Sequence, residues 1–128
     1  MTTYLFVTSP DYTPERVEGE SIWWSCQSTT KSGDRALVYV TGVGIHYEWE
    51  LLTDAKPDAT WTNICDVEHV RTFTPPIQLR ELRETFTENE WKPPFLNFRG
   101  YRNISLSAEI ANRIRSLRIR AIESPAAD

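Results

Sequence analysis

Two adjacent tryptophans, Trp23 and Trp24, stand in the polar stretch SIWWSCQSTT. Indole faces in such a segment can stack a planar ligand, contributing about 1–3 kcal/mol per stacked base. They can equally plug a core from a loop, and both readings stay open on composition alone. Trp91 and Tyr101 also lie in segments that are polar or non-helical. Around Tyr101 the run Asn97-Phe98-Arg99-Gly100-Tyr101-Arg102 sets two arginines beside an aromatic ring. Arginine suits bidentate phosphate contacts and stacking on planar groups, so this pattern fits a base-and-phosphate site.

Catalytic chemistry is poorly supported. His46 and His69 both fall in predicted strands, and neither adjoins a Ser-Gly or Cys-Gly nucleophile turn. Glu48 and Glu50 occupy the polar face of an alternating strand, where solvation accounts for them. Cys26 has no cationic neighbour in sequence to activate its thiol, and with Cys65 it makes neither a disulfide framework nor a metal cluster. There is no CxxC, HExxH or calcium-loop pattern. The expectation is no enzyme, no cofactor and no metal.

The 128 residues, 40% hydrophobic and 25% charged, fit a single globular domain over 1–123 with a flexible tail at 124–128. No apolar run reaches the roughly 18–20 residues that span a bilayer, and no signal peptide is expected. A cytoplasmic monomer with two free thiols is the expectation. Net charge is −4, against nonspecific coating of nucleic acid. It is unevenly placed, however. Residues 1–94 carry eight basic and fifteen acidic side chains, whereas 95–128 carry six arginines and three acids. From charge alone a solvated helix face remains the plainer explanation of those arginines.

The elements that position these residues are short. Tyr4–Thr8 reads as a buried strand, and Thr13-Pro14-Glu15 as a helix start. A turn at Lys31-Ser32-Gly33-Asp34 leads into the apolar strand Arg35–Thr41. Ile45–Leu51 alternates, with Ile45, Tyr47, Trp49 and Leu51 on one face. A further strand is expected over Asn63–Thr72, ended by Pro75-Pro76, with Trp61 anchoring a loop. Ile77–Phe86 has helical spacing, and Ser107 is a plausible N-cap for a helix whose apolar face is Ile110, Ile114 and Leu117. Several strands and a few short helices predict an α+β domain built on a curled antiparallel sheet or small barrel.

The order of these features resembles an EVE domain, in the PUA-like group related to YTH domains. It is carried by the aromatic polar loop, Lys31-Ser32-Gly33-Asp34, the strand ending at Gly42, the Gly44-Ile45 strand, Pro75-Pro76-Ile77 with Leu79 and Leu82, Arg99-Gly100, and the Ile104-Ser105-Leu106-Ser107 start of the last helix. The resemblance covers about Tyr4 to Leu117. It implies a PUA-like curled β-barrel flanked by short helices and a non-catalytic reader of nucleic acid, DNA or RNA. A flipped base, methylated or hydroxymethylated, would enter an aromatic pocket. The pocket the resemblance implies comprises Trp24, Ser25, Tyr39, Thr41 and Gly42, and the aromatic pattern adds Trp23 and Trp91 to it. Within it Trp24-Ser25 is read as the wall, and Trp23, alternating to the other side, as the core plug. For backbone contacts the resemblance points to Arg99 and Arg102, and the residue pattern adds Tyr101 and Arg113, with Arg115 as a further choice. The alternatives are a small RNA-processing enzyme or RNA-binding module of the ASCH type, and a small-ligand or protein-interaction domain.

Overall fold

The computed structural model describes residues 1–8, 21–91 and 103–118. Its strands are β1 (Thr3–Thr8), β2 (Ser21–Ser25), β3 (Arg35–Val40), β4 (Gly44–Leu51), β5 (Lys56–Asp58), β6 (Thr62–Ile77) and β7 (Asn103–Leu106). Two short helices, α1 (Leu79–Thr85) and α2 (Ala108–Ser116), complete the described elements. The strands form one sheet in the order β2-β6-β4-β3-β1-β7, with β5 paired to β6. The sheet is mixed: β1 runs parallel to β3, while the other pairings are antiparallel.

All six residues of β1 are buried, which follows from its place inside the sheet with both faces covered. Alternation sends Leu5 and Val7 to one face and Tyr4 and Phe6 to the other. Leu5 and Val7 join Leu37, Phe73, Leu82, Ile110 and Ile114 beneath the helices. Tyr4 and Phe6 join Val38, Trp49, Leu51, Cys65 and Val67 in a second core. The outer strands β2 and β7 are drawn together by side chains. Asn103 Nδ2 donates to the Ser25 carbonyl at 2.9 Å, and the Gln27 side-chain amide donates to the Asn103 carbonyl. This seam curls the sheet into a half-barrel.

The Gly33-Asp34 turn is tied down by one carboxylate. Buried Asp34 accepts from the backbone N–H of Thr2 and of Lys31, both at 2.9 Å, fixing the start of β3 against β1. At the opposite end of β3, Gly44 has φ +125°, and a Cβ there would lie 2.5 Å from the Ile77 carbonyl oxygen. Only glycine fits that approach. Ser107 caps α2 as its position suggests, accepting from Ile110 N–H at 3.2 Å. Beyond the strand end expected at Thr72, β6 continues through Pro75-Pro76 to Ile77, and helix α1 begins only at Leu79. The helical start proposed around Thr13-Pro14 lies outside the described residues.

Alternation in β4 breaks near His46. The β4–β6 register shifts between Ile45 and Tyr47, so Ile45 joins the core under the helices while Trp49 and Leu51 enter the second one. Glu48 therefore points toward α2 and is only 1% exposed, contrary to the solvated position expected for it. Arg115 meets its carboxylate at 3.0–3.2 Å, Arg35 at 3.3 Å and Arg71 at 3.4 Å. The strand pattern correctly separates Glu48 from the apolar face. What it misses is that α2 covers the other face as well.

Candidate functional site

Strand β2 aligns Trp23 with Asp66 and Trp24 with Cys65 of β6. Successive side chains on a strand point to opposite faces, so the two tryptophans must part. Trp24 turns inward, half-buried, with its ring 5.3 Å from Trp49 and inclined at 71°. Trp49 lies nearly parallel to Tyr47, 6.3 Å away at 16°. Tyr47 in turn stacks on His46 at 4.5 Å and meets His69 edge-on at 6.1 Å. Three strands, β2, β4 and β6, thus contribute rings to one aromatic cluster, linked through the fully buried Trp49. Trp23 takes the outward side and is 54% exposed. It is not the core plug that the sequence suggested. Strand alternation separates the two rings, but the curl of the sheet decides which one is inside.

The polar atoms among these rings are unevenly satisfied. His69 Nε2 and the Thr72 hydroxyl share a hydrogen bond at 3.2 Å, while buried His69 Nδ1 has no partner. Trp49 Nε1, on a fully buried side chain, also has none. Burial lowers the His46 pKa below its ordinary value, favouring the neutral ring against Tyr47. Ser25, at the end of β2, contributes its carbonyl to the β2–β7 seam. Behind Trp24, Cys26 and Cys65 are buried free thiols. Desolvation, followed by the neighbouring Cys26, pushes the Cys65 thiol up, so it stays protonated and unreactive.

The other sequence candidates lie elsewhere. Tyr39 belongs to the core beneath the helices, where burial raises its phenol pKa. Trp91 packs on that same core, edge-on to Phe86 at 5.2 Å. Thr41 and Gly42 are exposed in the β3–β4 turn, with Gly42 at φ +81°. Arg113 lies 4.4 Å over the Phe86 ring and donates to Thr85 O and Glu90 Oε2, at 2.8 and 2.5 Å. The structure therefore unites Arg113 with Trp91 around Phe86, and separates both from Trp24. Arg99, Tyr101 and Arg102 lie outside the described residues.

Other arginines of the last helical segment are engaged internally. Arg115 is held by Glu48, Thr3 and Asn112. Arg118 grips both Glu81 oxygens and the carbonyls of Pro75 and Pro76. Its guanidinium is the leading cause of a lowered Glu81 pKa. Trp61, expected to anchor a loop, is 45% exposed instead. Conversely, Tyr47, Trp49 and His69 read as ordinary core or structural residues in sequence, yet they join Trp24 in one chain of ring contacts, Trp24 to Trp49, Trp49 to Tyr47 and Tyr47 to His69. The available signal was the pair Tyr47 and Trp49 on one strand face. Their meeting with Trp24 and His69 depends on strand register.

No helix among the described residues is long and apolar enough to cross a membrane. No family model and no curated protein sequence matches the chain. Solved structures do resemble it. Human THYN1, crystallised in complex with 5-methylcytosine-containing DNA, matches with TM-score 0.70 and 18% identity, over 91% of this chain and 97% of that one. A crystal structure of a protein from Agrobacterium tumefaciens matches with TM-score 0.71 and 17% identity, over 90% and 92% of the two chains. An NMR structure of a protein from Rhodopseudomonas palustris gives 0.69 and 16%, over 88% and 89%. At such identities the likeness is one of fold. The curled mixed sheet with two short helices is a small PUA-like α+β fold.

Proposed function

We propose that this chain is a reader of nucleic acid that accepts a modified, flipped-out base against the Trp24 aromatic surface. The observation that carries the reading is Trp24 set edge-on to Trp49, with Tyr47 and His69 beside them. Likeness of fold to human THYN1, whose structure holds 5-methylcytosine-containing DNA, favours a methylated base in DNA. The proposed role is binding without turnover, by a monomer in the cytoplasm.

Flipping a base costs a few kcal/mol of lost stacking and pairing. A stacked ring returns about 1–3 kcal/mol, so a single platform does not offset the whole cost. The preferred substrate is therefore single-stranded or already weakly paired, and a methyl group adds apolar contact that helps close the gap. Phosphate contacts are assigned to Arg99 and Arg102, since Arg113 lies over Phe86, apart from Trp24, and is held by Glu90 and the Thr85 carbonyl.

A competition titration at fixed salt, using DNA and RNA oligonucleotides with one 5-methylcytosine or one plain cytosine, tests the proposal. Wild-type protein is expected to favour a modified strand. Trp24→Ala is expected to bind both strands equally, with its circular dichroism unchanged. Strand cleavage by the purified protein would instead establish the RNA-processing alternative. Absence of binding to every strand would leave the small-ligand or protein-interaction reading.

A further inference from the structure

We infer that Trp49 Nε1 and His69 Nδ1 form a polar reading edge within the proposed base site. The edge they select is a ring-nitrogen acceptor beside an exocyclic amine, the aminopyrimidine edge shared by cytosine and adenine. This inference rests on the reader function proposed above and specifies which chemical edge that site takes.

The argument begins with two orphaned atoms. Trp49 is fully buried, and its indole N–H has no hydrogen-bond partner. His69 Nδ1 is likewise buried and unpartnered. A buried donor without an acceptor forfeits the bonds it would make in water, and native cores seldom tolerate this without a reason. Here two such atoms occur on directly paired residues. Trp49 and His69 are register partners across β4 and β6, a placement that sets Cβ atoms about 4.5–5.5 Å apart. Trp24 and Tyr47 contact this indole directly, and His69, its register partner, meets Tyr47 edge-on, so the unpartnered atoms belong to one aromatic cluster.

The chemistry of the two atoms defines the ligand. An indole N–H can only donate, so it requires an acceptor. The imidazole bonds the Thr72 hydroxyl through Nε2, and with the proton on Nε2 its Nδ1 accepts. A donor beside an acceptor matches a ring nitrogen beside an amino group. Thymine and uracil present a ring N–H at that position and oppose the indole donor. Trp24, half-buried on strand β2, packs edge-on against the Trp49 indole, and a base held at Trp24 reaches this edge where that ring contact opens.

5-Methylcytosine and thymine carry the same 5-methyl group and differ at this edge, which makes them a matched pair of probes. Single-stranded DNA oligonucleotides bearing one or the other at the same position are titrated against wild-type protein, Trp49→Phe and His69→Phe. Wild type is expected to favour the 5-methylcytosine strand at least tenfold. Each variant is expected to reduce that ratio to below threefold. In the wild-type ¹H–¹⁵N spectrum, the Trp49 indole N–H proton is expected to resonate upfield of the other indoles and move downfield on adding the 5-methylcytosine strand. This measurement stands even if a variant fails to fold. Equal affinity for the two strands, or a bound complex in which that resonance does not move, overturns the inference while the reader function survives. No binding to either strand overturns both.

Discussion

Glu48→Gln perturbs the buried ionic centre that joins β3, β4 and β6 to α2. The glutamate is 1% exposed and faces the guanidinium groups of Arg115, Arg35 and Arg71 at 3.0–3.4 Å. Glutamine preserves the shape but removes the charge and directs an amide donor at groups that only donate. Breaking a buried ion pair by removing one partner costs about 3–5 kcal/mol. Arg35 and Arg71 are 27% and 37% exposed, so both can recover hydration, whereas Arg115 at 14% cannot do so fully. The expected cost is therefore nearer the lower bound, about 3 kcal/mol. For a domain of this size that lowers Tm by about 10 °C. Thermal melting followed by circular dichroism reads the shift, and urea titration with an unchanged slope confirms that stability alone has moved. The exposed Lys56–Asp66 pair supplies the contrast, since Asp66→Asn is expected to cost no more than about 1 kcal/mol. A Glu48→Gln shift no larger than that of Asp66→Asn refutes the assignment of this centre as a major stabilising element.

Three further outcomes follow from local geometry. Gly44→Ala combines a φ of +125° with a 2.5 Å approach to the Ile77 carbonyl, and is expected to cost at least about 2 kcal/mol in urea unfolding. Ser107→Ala removes the acceptor for Ile110 N–H and is expected to cost about 1 kcal/mol by the same assay. Burial lowers the folded His46 pKa, so the unfolded chain binds its proton more readily. The His46 contribution to stability is therefore complete above pH about 6.5 and is lost as pH falls through the folded pKa. His46→Gln should flatten that part of the stability profile, which chemical denaturation at pH 7.5 and pH 5 measures.

Elements with a strong local signal were legible in the sequence. Strand β3 reads from its apolar run, and α2 from the Ser107 cap with Ile110 and Ile114 on one face. The pairing of strands was not. The parallel β1–β3 contact and the side-chain seam between Ser25 and Asn103 are long-range features with no local signature. That limit explains the site as well. Strand alternation divides Trp23 from Trp24, yet the inside is defined by β6, β4 and the curl joining them. For the same reason Glu48 read as solvated although α2 covers it, and Trp49 read as core packing although Trp24 and His69 converge on it. The clustered arginines were visible, but their acidic partners Glu48, Glu81 and Glu90 lie far away in sequence.

A crystal structure of the protein with an oligonucleotide carrying 5-methylcytosine tests the central claim most directly. The account predicts the modified base withdrawn from its neighbours and stacked at Trp24, with its edge toward Trp49 and His69. A complex in which the base remains stacked in the strand, or in which the nucleic acid lies on the helical face away from Trp24, would contradict it.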